Sequence, residues 1–192
     1  MFLSSIDAPI LVCQLHRNLE IAKTGDVTIT PDLLTSLSEA TSRHFSLIII
    51  GLTTKRISLR NDIIELCRCL NTHPLTKNTS VLVLVELSHR NMAVRLADAG
   101  VRFVKVVHPG EPIDPEYLLR LVHLDDPSVN INRILARLCP FIHYRPIDDQ
   151  CELTTCKAYR NRMVLGGSRL HDVCETDTHV HCKYFIKPRV DS

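Results

Sequence analysis

The sequence has no apolar run near the roughly 18 residues that a membrane-spanning helix needs. Its longest buried-looking runs, Leu47 to Ile50 and Val81 to Val85, have the length of strands. The formal net charge is only +2, so no strong field points to nucleic acid or to a membrane. Residues Met1 to Ile10 contain no basic residue, which argues against a secretory signal. We therefore expect a cytoplasmic globular protein without a membrane partner, and we consider nucleic-acid binding improbable.

The sequence also lacks the short motifs that mark common catalytic sites. It contains no GxGxxG or GxxxxGK[ST] loop for nucleotides, no GxSxG nucleophile turn and no HExxH zinc helix. Cys156 could serve as a nucleophile, but its nearest histidines, His143 and His171, fall on separate predicted loops. The balance favours a protein that is not an enzyme, and no small-molecule substrate is identified.

What the sequence does have is cysteine, eight residues in all, and an uneven distribution of them. Residues 1–125 carry Cys13, Cys67 and Cys69, whereas the shorter stretch 126–192 carries five. Thiols in a cytosolic chain indicate metal binding or redox chemistry before disulfides. We predict two units, 1–125 and 126–192, divided at the charged turn that precedes Pro127.

Residues 1–125 alternate between apolar strand patterns and helical patterns. Strands are predicted at 10–13, within 19–30, and at 45–51, 80–85 and 101–107; helices are predicted from 31, at 57–70, 89–99 and 114–123. Thr30 is the predicted cap of the first helix, with Pro31 at its first position. Cys67 and Cys69 face different sides of their helix, so we expect a core Cys67 and an exposed Cys69. The alternation predicts an α/β fold with a doubly wound parallel five-stranded sheet.

Four stretches resemble a response-regulator receiver domain over residues 8–124: "FSLIIIGL", "HPLTKNTSVLVLVEL", "MAVRLADAGVRFVKVVHP" and "DPEYLLRLV". The resemblance implies a receiver-like, flavodoxin-like fold. It also implies a protein partner that docks on the last helix and the adjacent sheet edge, around Arg102 to Leu121.

The receiver resemblance also implies an acidic metal and phosphoryl site, and this sequence departs from it at each position. The phosphoryl-accepting aspartate is replaced by Gly51, the hydroxyl by Val85 and the lysine by His108. Cys13 and Gln14 stand where the acidic pair should follow the first strand. Since Mg²⁺ and a transferred phosphoryl group need charged partners, we expect a pseudo-receiver that cannot be phosphorylated.

Residues 126–192 are predicted to be a small, irregular, cysteine-rich segment. A helix over 130–138 is followed by a loop over 141–150, a short helix within 151–165 and a turn at Gly166. This stretch has few large apolar residues, and a small segment with a weak core and many thiols usually needs a metal.

The spacing of the cysteines suggests which metal they bind. Structural zinc usually uses two tight C-x(2–4)-C pairs; only Cys151-x4-Cys156 falls at the loose end of that range and no second pair matches it, whereas widely spaced thiolates suit a [4Fe–4S] cluster. We predict Cys139, Cys151, Cys174 and Cys182 as the ligands. Cys156, His179 and His181 remain alternates, and zinc remains the alternative metal. Exposed polar histidines are the more ordinary interpretation of His179 and His181.

These observations favour a regulatory or adaptor protein that is not an enzyme. It would join a receiver-like domain without phosphotransfer to a cysteine-ligated metal centre that senses redox state or holds the fold together. The alternative is an accessory or electron-transfer iron–sulfur subunit of a larger redox complex. The sequence identifies neither the partner nor the signal.

Overall fold

The computed structural model describes residues 9–14, 20–22, 25–52, 56–86, 89–108, 110–160 and 163–189. The strands are β1 (Ile10–Cys13), β2 (Val27–Thr30), β3 (Leu47–Leu52), β4 (Ser80–Val85), β5 (Phe103–Val106), β6 (Ile142–Pro146), β7 (Glu152–Cys156) and β8 (Met163–Val164). The helices are α1 (Leu33–Ser42), α2 (Ile57–Thr72), α3 (Arg90–Asp98), α4 (Pro115–His123), α5 (Ile131–Arg137), α6 (Gly167–Arg169) and α7 (Lys183–Ile186). A π-helical turn, Leu170–Cys174, and a 3-10 turn, Asp177–His181, lie between α6 and α7.

The first five strands form one parallel sheet in the order β2-β1-β3-β4-β5. Ile10 pairs with Leu47, and Leu82 pairs with Phe103. All six residues of β3 are buried, as expected for a central strand covered on both faces. The strand order is that of the flavodoxin-like doubly wound folds, so the predicted fold class is confirmed.

The sheet separates two apolar layers, because successive side chains of each strand point to opposite faces. Leu11, Ile48 and Val83 belong to the layer that also contains Ile63, Cys67 and Leu96 from α2 and α3. The other layer contains the alternate strand residues Ile10, Leu47 and Leu82, together with Leu118 and Val122 from α4. Helices therefore cover both faces of the sheet.

The first helix begins two residues later than predicted. Thr30 ends β2, where it is buried, and Asp32 caps α1 by accepting a hydrogen bond from the Thr35 amide at 2.8 Å. Aspartate is an equally good cap, and Thr30 is held by the ladder instead. The cap of α4 follows the sequence pattern, with Asp114 accepting from the amides of Glu116 and Tyr117 ahead of a helix that begins at Pro115.

The edge of the sheet at β5 is covered by the chain itself. The Val104 amide donates to the Val129 carbonyl at 2.7 Å, and the Ile131 amide donates to the Arg102 carbonyl at 3.0 Å. Helix α5 then packs on α3. The sheet-edge part of the face expected to dock a partner is thus occupied by residues 129–131, while Tyr117 on α4 stays exposed.

A second sheet of three antiparallel strands, β6-β7-β8, replaces the loop and the short helix predicted over residues 141–165. Ile142 and Tyr144 are buried, whereas Arg145 and Pro146 are exposed, so β6 begins with the alternation of a half-buried strand. At the hairpin tip, the Asp148 carboxylate accepts from the amides of Gln150 and Cys151 at 2.7 and 2.8 Å. Asparagine and aspartate favour such turns because their side chains satisfy nearby amides.

Among the described helices, none is both long enough and apolar enough to cross a membrane.

Candidate functional site

The positions of the receiver-type phosphoryl site carry no acidic side chain in this fold. Gly51 and Val85 are buried near the carboxyl ends of β3 and β4, and His108 is exposed just after β5. Cys13 is fully buried at the end of β1 and Gln14 follows it. None of these side chains is a carboxylate, the group that binds Mg²⁺ and accepts the phosphoryl group in a receiver-type site.

Two thiols of the parallel sheet lie in its apolar core. Burial raises the pKa of Cys13, and burial together with the charge of Cys13 raises the pKa of Cys67 to about 12. Both are therefore neutral thiols that behave as small apolar residues. Cys69 is exposed on the other side of α2, which confirms the expectation for this pair.

Four other cysteines form a thiol group, defined as Cys139, Cys156, Cys174 and Cys182. Cys139 follows α5, and Cys156 ends β7. Cys174 ends the π-helical turn, and Cys182 precedes α7. The Cys139 amide donates to the Cys174 carbonyl at 2.8 Å. The Ile142 amide donates to the Cys139 carbonyl, and Ile142 pairs with Cys156 between β6 and β7. Four separate parts of the chain thus bring these residues together.

Three of the four, Cys139, Cys156 and Cys174, belong to one buried cluster of the second sheet, and the charge of Cys182 acts on all three. Burial raises the pKa of Cys174 to about 12, and the charges of Cys139, Cys156 and Cys182 raise it further. Burial likewise raises the pKa of Cys139 and of Cys156, with Cys182 contributing to both. Negative charge on any one sulfur thus opposes negative charge on the others, so all four could ionise together only around a cation.

Backbone amides lower the pKa of three of the four thiols. The Phe141 amide does so for Cys139, the amides of Ala158 and Tyr159 for Cys156, and those of Tyr184 and Phe185 for Cys182. Two of these amides donate to the carbonyl of the same cysteine, Tyr159 to Cys156 at 3.3 Å and Phe185 to Cys182 at 2.9 Å. Amide hydrogens near a sulfur favour its anionic form.

Arg169 adds positive charge at the same place. Its Nη2 donates to the Cys182 sulfur at 3.5 Å, and its Nε is buried without a hydrogen-bond partner among the described residues. Burial alone would raise the pKa of Cys182, but the amides of Tyr184 and Phe185 and the Arg169 guanidinium outweigh it and lower that pKa. Cys182 is consequently the most easily ionised thiol of the group.

The structure places Cys151 away from the thiol group. Cys151 is exposed at the tip of the β6–β7 hairpin, at the opposite end of β7 from Cys156. The hairpin carries Cys151 outward, whereas Cys156, the alternate, shares a buried cluster with Cys139 and Cys174. The choice between Cys151 and Cys156 as a ligand stays a prediction.

The two histidines considered as alternates are not partners of the sulfurs. His179 is buried, not exposed as expected; its Nδ1 contacts the Thr176 carbonyl at 2.7 Å and its ring packs edge-on against Phe185. His181 is exposed in the same 3-10 turn. Among the described histidine, cysteine, aspartate and glutamate side chains, no three are placed to hold a metal ion.

A polar network that the sequence did not reveal joins the second sheet to α2 and α3. Glu152 accepts from Arg60 at 2.6 Å and lies 3.1 Å from His89 Nε2, with all three side chains at least four-fifths buried. The His89 ring stacks on Tyr144 with centroids 3.6 Å apart, and its Nδ1 accepts from the Met92 amide at 3.2 Å. Since Nδ1 accepts, Nε2 carries the proton and donates to Glu152.

This network makes the stability of the protein depend on pH. Burial lowers the pKa of His89 below its ordinary 6.5 despite the opposing effect of Glu152. The unfolded chain therefore takes up the proton first, so the contribution of His89 is complete above pH 6.5 and is lost as the pH falls through the lower folded value. We expect urea unfolding to show this loss as the difference between the wild type and His89→Asn, whose side chain still caps α3. Parallel pH profiles for the two proteins would contradict the assignment.

Comparisons with known proteins give matches among solved structures only. No protein-family model matches the chain, and no curated protein matches it. The chain is similar to the chemotaxis response regulator CheY4 of Vibrio cholerae, with 15% identity over 61% of this chain and 98% of that chain and a TM-score of 0.41. It is also similar to a response regulator protein from Burkholderia multivorans, with 20% identity over 64% of this chain and 99% of that chain and a TM-score of 0.42. The assignment of the fold rests on the strand order, and these distant likenesses add no argument about function.

Proposed function

We propose that this chain is a regulatory or adaptor protein, not an enzyme, that carries a [4Fe–4S] cluster beside a receiver-like domain without phosphotransfer. The ligands would be Cys139, Cys156, Cys174 and Cys182. The observation that carries the proposal is the meeting of these four thiols, which come from four separate parts of the chain. Four thiolates are the usual ligand set of a cubane cluster.

The surroundings of the thiol group support a cluster of moderate negative charge. Five backbone amides lower the pKa of three of the thiols, and amide groups near sulfur are one means by which proteins set cluster potentials. Arg169 lies beside three of the thiols and Arg90 acts on Cys139, so two cations offset the charge of four thiolates.

The arrangement favours a cluster over a single zinc ion. A tetrahedral zinc site with Zn–S bonds of about 2.3 Å draws its sulfurs to roughly 3.8 Å of one another. A cubane instead spreads four thiolates over its corners, which suits four cysteines that come from separate parts of the chain. All eight cysteines are free thiols, which supports the cytoplasmic, reducing location that such a cluster needs.

The receiver-like domain gives such a centre a route to the rest of the molecule. Burial and the charge of Glu175 raise the pKa of Tyr144, and the nearby Cys174 adds to the rise. The Tyr144 ring stacks on His89 at the start of α3. The Arg90 Nη1 donates to the carbonyls of Leu135 and Leu138, directly before Cys139. A change of cluster charge or occupancy would therefore reach α3, and redox state would replace phosphorylation as the signal.

Metal analysis after anaerobic purification tests the cluster. We expect a brown protein with about four irons and four sulfides per chain. A colourless protein with about one zinc would make the centre structural and would remove redox sensing. A protein with neither metal would overturn the proposal of a metal centre.

Exposure to a small-molecule phosphodonor with Mg²⁺ tests the loss of phosphotransfer. We expect the intact mass to stay unchanged, because Gly51 and Val85 offer no acceptor and His108 replaces the phosphate-binding lysine. A receiver domain with a complete acidic site serves as the positive control. Stable addition of one phosphoryl group to this chain would show that another residue accepts it.

A further inference from the structure

The loops that carry two of the cysteines also build a basic–aromatic patch, defined as Tyr159, Arg169, Lys183, Tyr184 and Arg189, in which Lys183 and Arg189 are exposed and the other three are half-buried. The rings of Tyr159 and Tyr184 lie 5.0 Å apart at 57°. Arg189 lies over the Tyr159 ring at 6.0 Å, and both Lys183 and Arg169 lie over the Tyr184 ring, at 5.0 and 5.3 Å. Cations held over aromatic faces are attracted by the ring quadrupole, so the patch has a defined arrangement.

In the described part of the chain, the outer cations of this patch have no acidic partner, whereas Arg169 also donates to the Cys182 sulfur. Among the described residues, no carboxylate forms an ion pair with Arg169, Lys183 or Arg189, nor with Lys187 one turn after Lys183. Lys183, Lys187 and Arg189 are exposed. Ile186, on the same short helix, is 61% exposed, so an apolar side chain stands among the cations.

The patch is tied to the thiol group by backbone contacts. The Tyr159 amide donates to the Cys156 carbonyl at 3.3 Å, and the Phe185 amide, next to Tyr184, donates to the Cys182 carbonyl at 2.9 Å. The Arg189 amide donates to the Ala158 carbonyl at 2.7 Å, which joins the end of the chain to the loop after Cys156. The two tyrosines can hold their cations side by side only while both cysteine loops keep these positions.

We infer that this patch docks an acidic segment of a partner protein that also presents an apolar side chain to Ile186. Charge complementarity identifies the acidic partner, and an exposed isoleucine within a basic, tyrosine-containing surface is typical of a protein interface. Single-stranded nucleic acid fits less well, because it stacks its bases on free aromatic faces and these two rings are covered by the chain's own cations. Docking depends on the cluster, and that dependence rests on the proposed function.

Fluorescence anisotropy with two labelled probes tests the docking surface. The probes are a short peptide of alternating glutamate and leucine and an oligothymidylate of equal charge. We expect the peptide to bind more tightly, with an affinity that falls as salt rises. The double variant Lys183→Glu, Arg189→Glu should weaken binding by about tenfold or more. Tighter binding of the oligothymidylate would overturn the inference in favour of nucleic acid.

A matched double variant controls for overall charge. Lys77→Glu, Arg133→Glu reverses two exposed cations outside the patch and should leave peptide affinity within about twofold. Equal losses in both double variants would show a response to net charge alone and would overturn the inference. Iron content, measured on each variant, verifies that the patch variant still folds around its metal.

Iron content and peptide affinity, measured together, separate the docking proposal from the cluster proposal. If the wild type holds iron but neither double variant changes peptide affinity, the docking surface is wrong and the cluster stands. If the protein holds no metal but the patch variant still loses affinity, the surface stands and the cluster is wrong. Loss of peptide binding on removal of the cluster from the wild type is the result expected when both are right.

Discussion

Replacement of Cys174 by serine is expected to remove the cluster. Cys174 is 5% exposed and shares a buried cluster with Cys139 and Cys156; burial raises its pKa, and the charges of the other three thiols add to the rise. A serine hydroxyl stays protonated and binds iron poorly, which leaves three thiolates for a cluster that needs four ligands. We expect iron to fall from about four per chain to less than about one.

The same substitution should lower thermal stability, because metal binding free energy is also folding free energy when the site forms only in the folded state. The core around the thiol group is small, with Ile142, Tyr144, Ala158 and Leu165 as its main buried apolar members. Removal of the cluster therefore takes away a large part of what holds residues 139–189 together. The unfolding transition of this part should separate from that of the parallel sheet.

Cys151→Ser and Cys156→Ser form the decisive control pair. Cys151 is exposed at the hairpin tip, so its serine variant should keep full iron content, whereas Cys156→Ser should lose it as Cys174→Ser does. The opposite result, with iron lost in Cys151→Ser and kept in Cys156→Ser, would restore the ligand set that the spacing suggests. Cys69→Ser, on the exposed face of α2, should behave like the wild type.

The parallel sheet could be predicted from sequence because its strands are short, continuous and apolar. Runs such as Leu47 to Ile50 have only one stable environment, the middle of a sheet covered on both faces. Gly100, with its positive φ of 85°, closes α3 as its position after Ala99 predicts. Local rules therefore determined the order of the elements, and the right-handed crossover rule restricted the topology.

The second sheet was missed because its pattern is short and diluted by polar residues. Strand β7, with the sequence ELTTC, alternates too weakly to be separated from a loop. That omission also explains the choice of Cys151. An extended strand rises about 3.3 Å per residue, so the five steps from Cys151 to Cys156 cover about 16 Å. Spacing along the chain carried no sign of this separation.

The groups that support the thiols could not be found in the sequence at all. Arg169 follows Cys156 and precedes Cys174, but nothing local shows that its guanidinium turns towards Cys182. Arg60 and Glu152 are 92 positions apart, and only the folded chain brings them to 2.6 Å. Pairs of this kind follow from tertiary packing, which periodicity and capping rules do not describe.

Glu152→Ala should destabilise the protein more than any exposed charge substitution. The Arg60 and Glu152 side chains are 17% and 16% exposed, and Glu152 also accepts from His89. Alanine would remove the buried carboxylate that accepts from both the Arg60 guanidinium and the His89 Nε2–H. We expect a loss of about 3 kcal/mol in the free energy of unfolding, at the lower end for buried pairs because both side chains keep some contact with water.

Urea unfolding of matched variants distinguishes this pair from an ordinary surface contact. Glu65→Ala breaks the exposed Arg68–Glu65 pair on the same helix as Arg60 and should cost less than about 0.5 kcal/mol. The double variant Arg60→Met, Glu152→Leu should recover much of the loss, because apolar side chains of similar volume need no desolvated partner. Iron content should remain near the wild-type value in the double variant, since neither residue contacts the sulfurs. A Glu152→Ala protein as stable as Glu65→Ala would show that the second sheet is held to α2 and α3 by its apolar contacts alone.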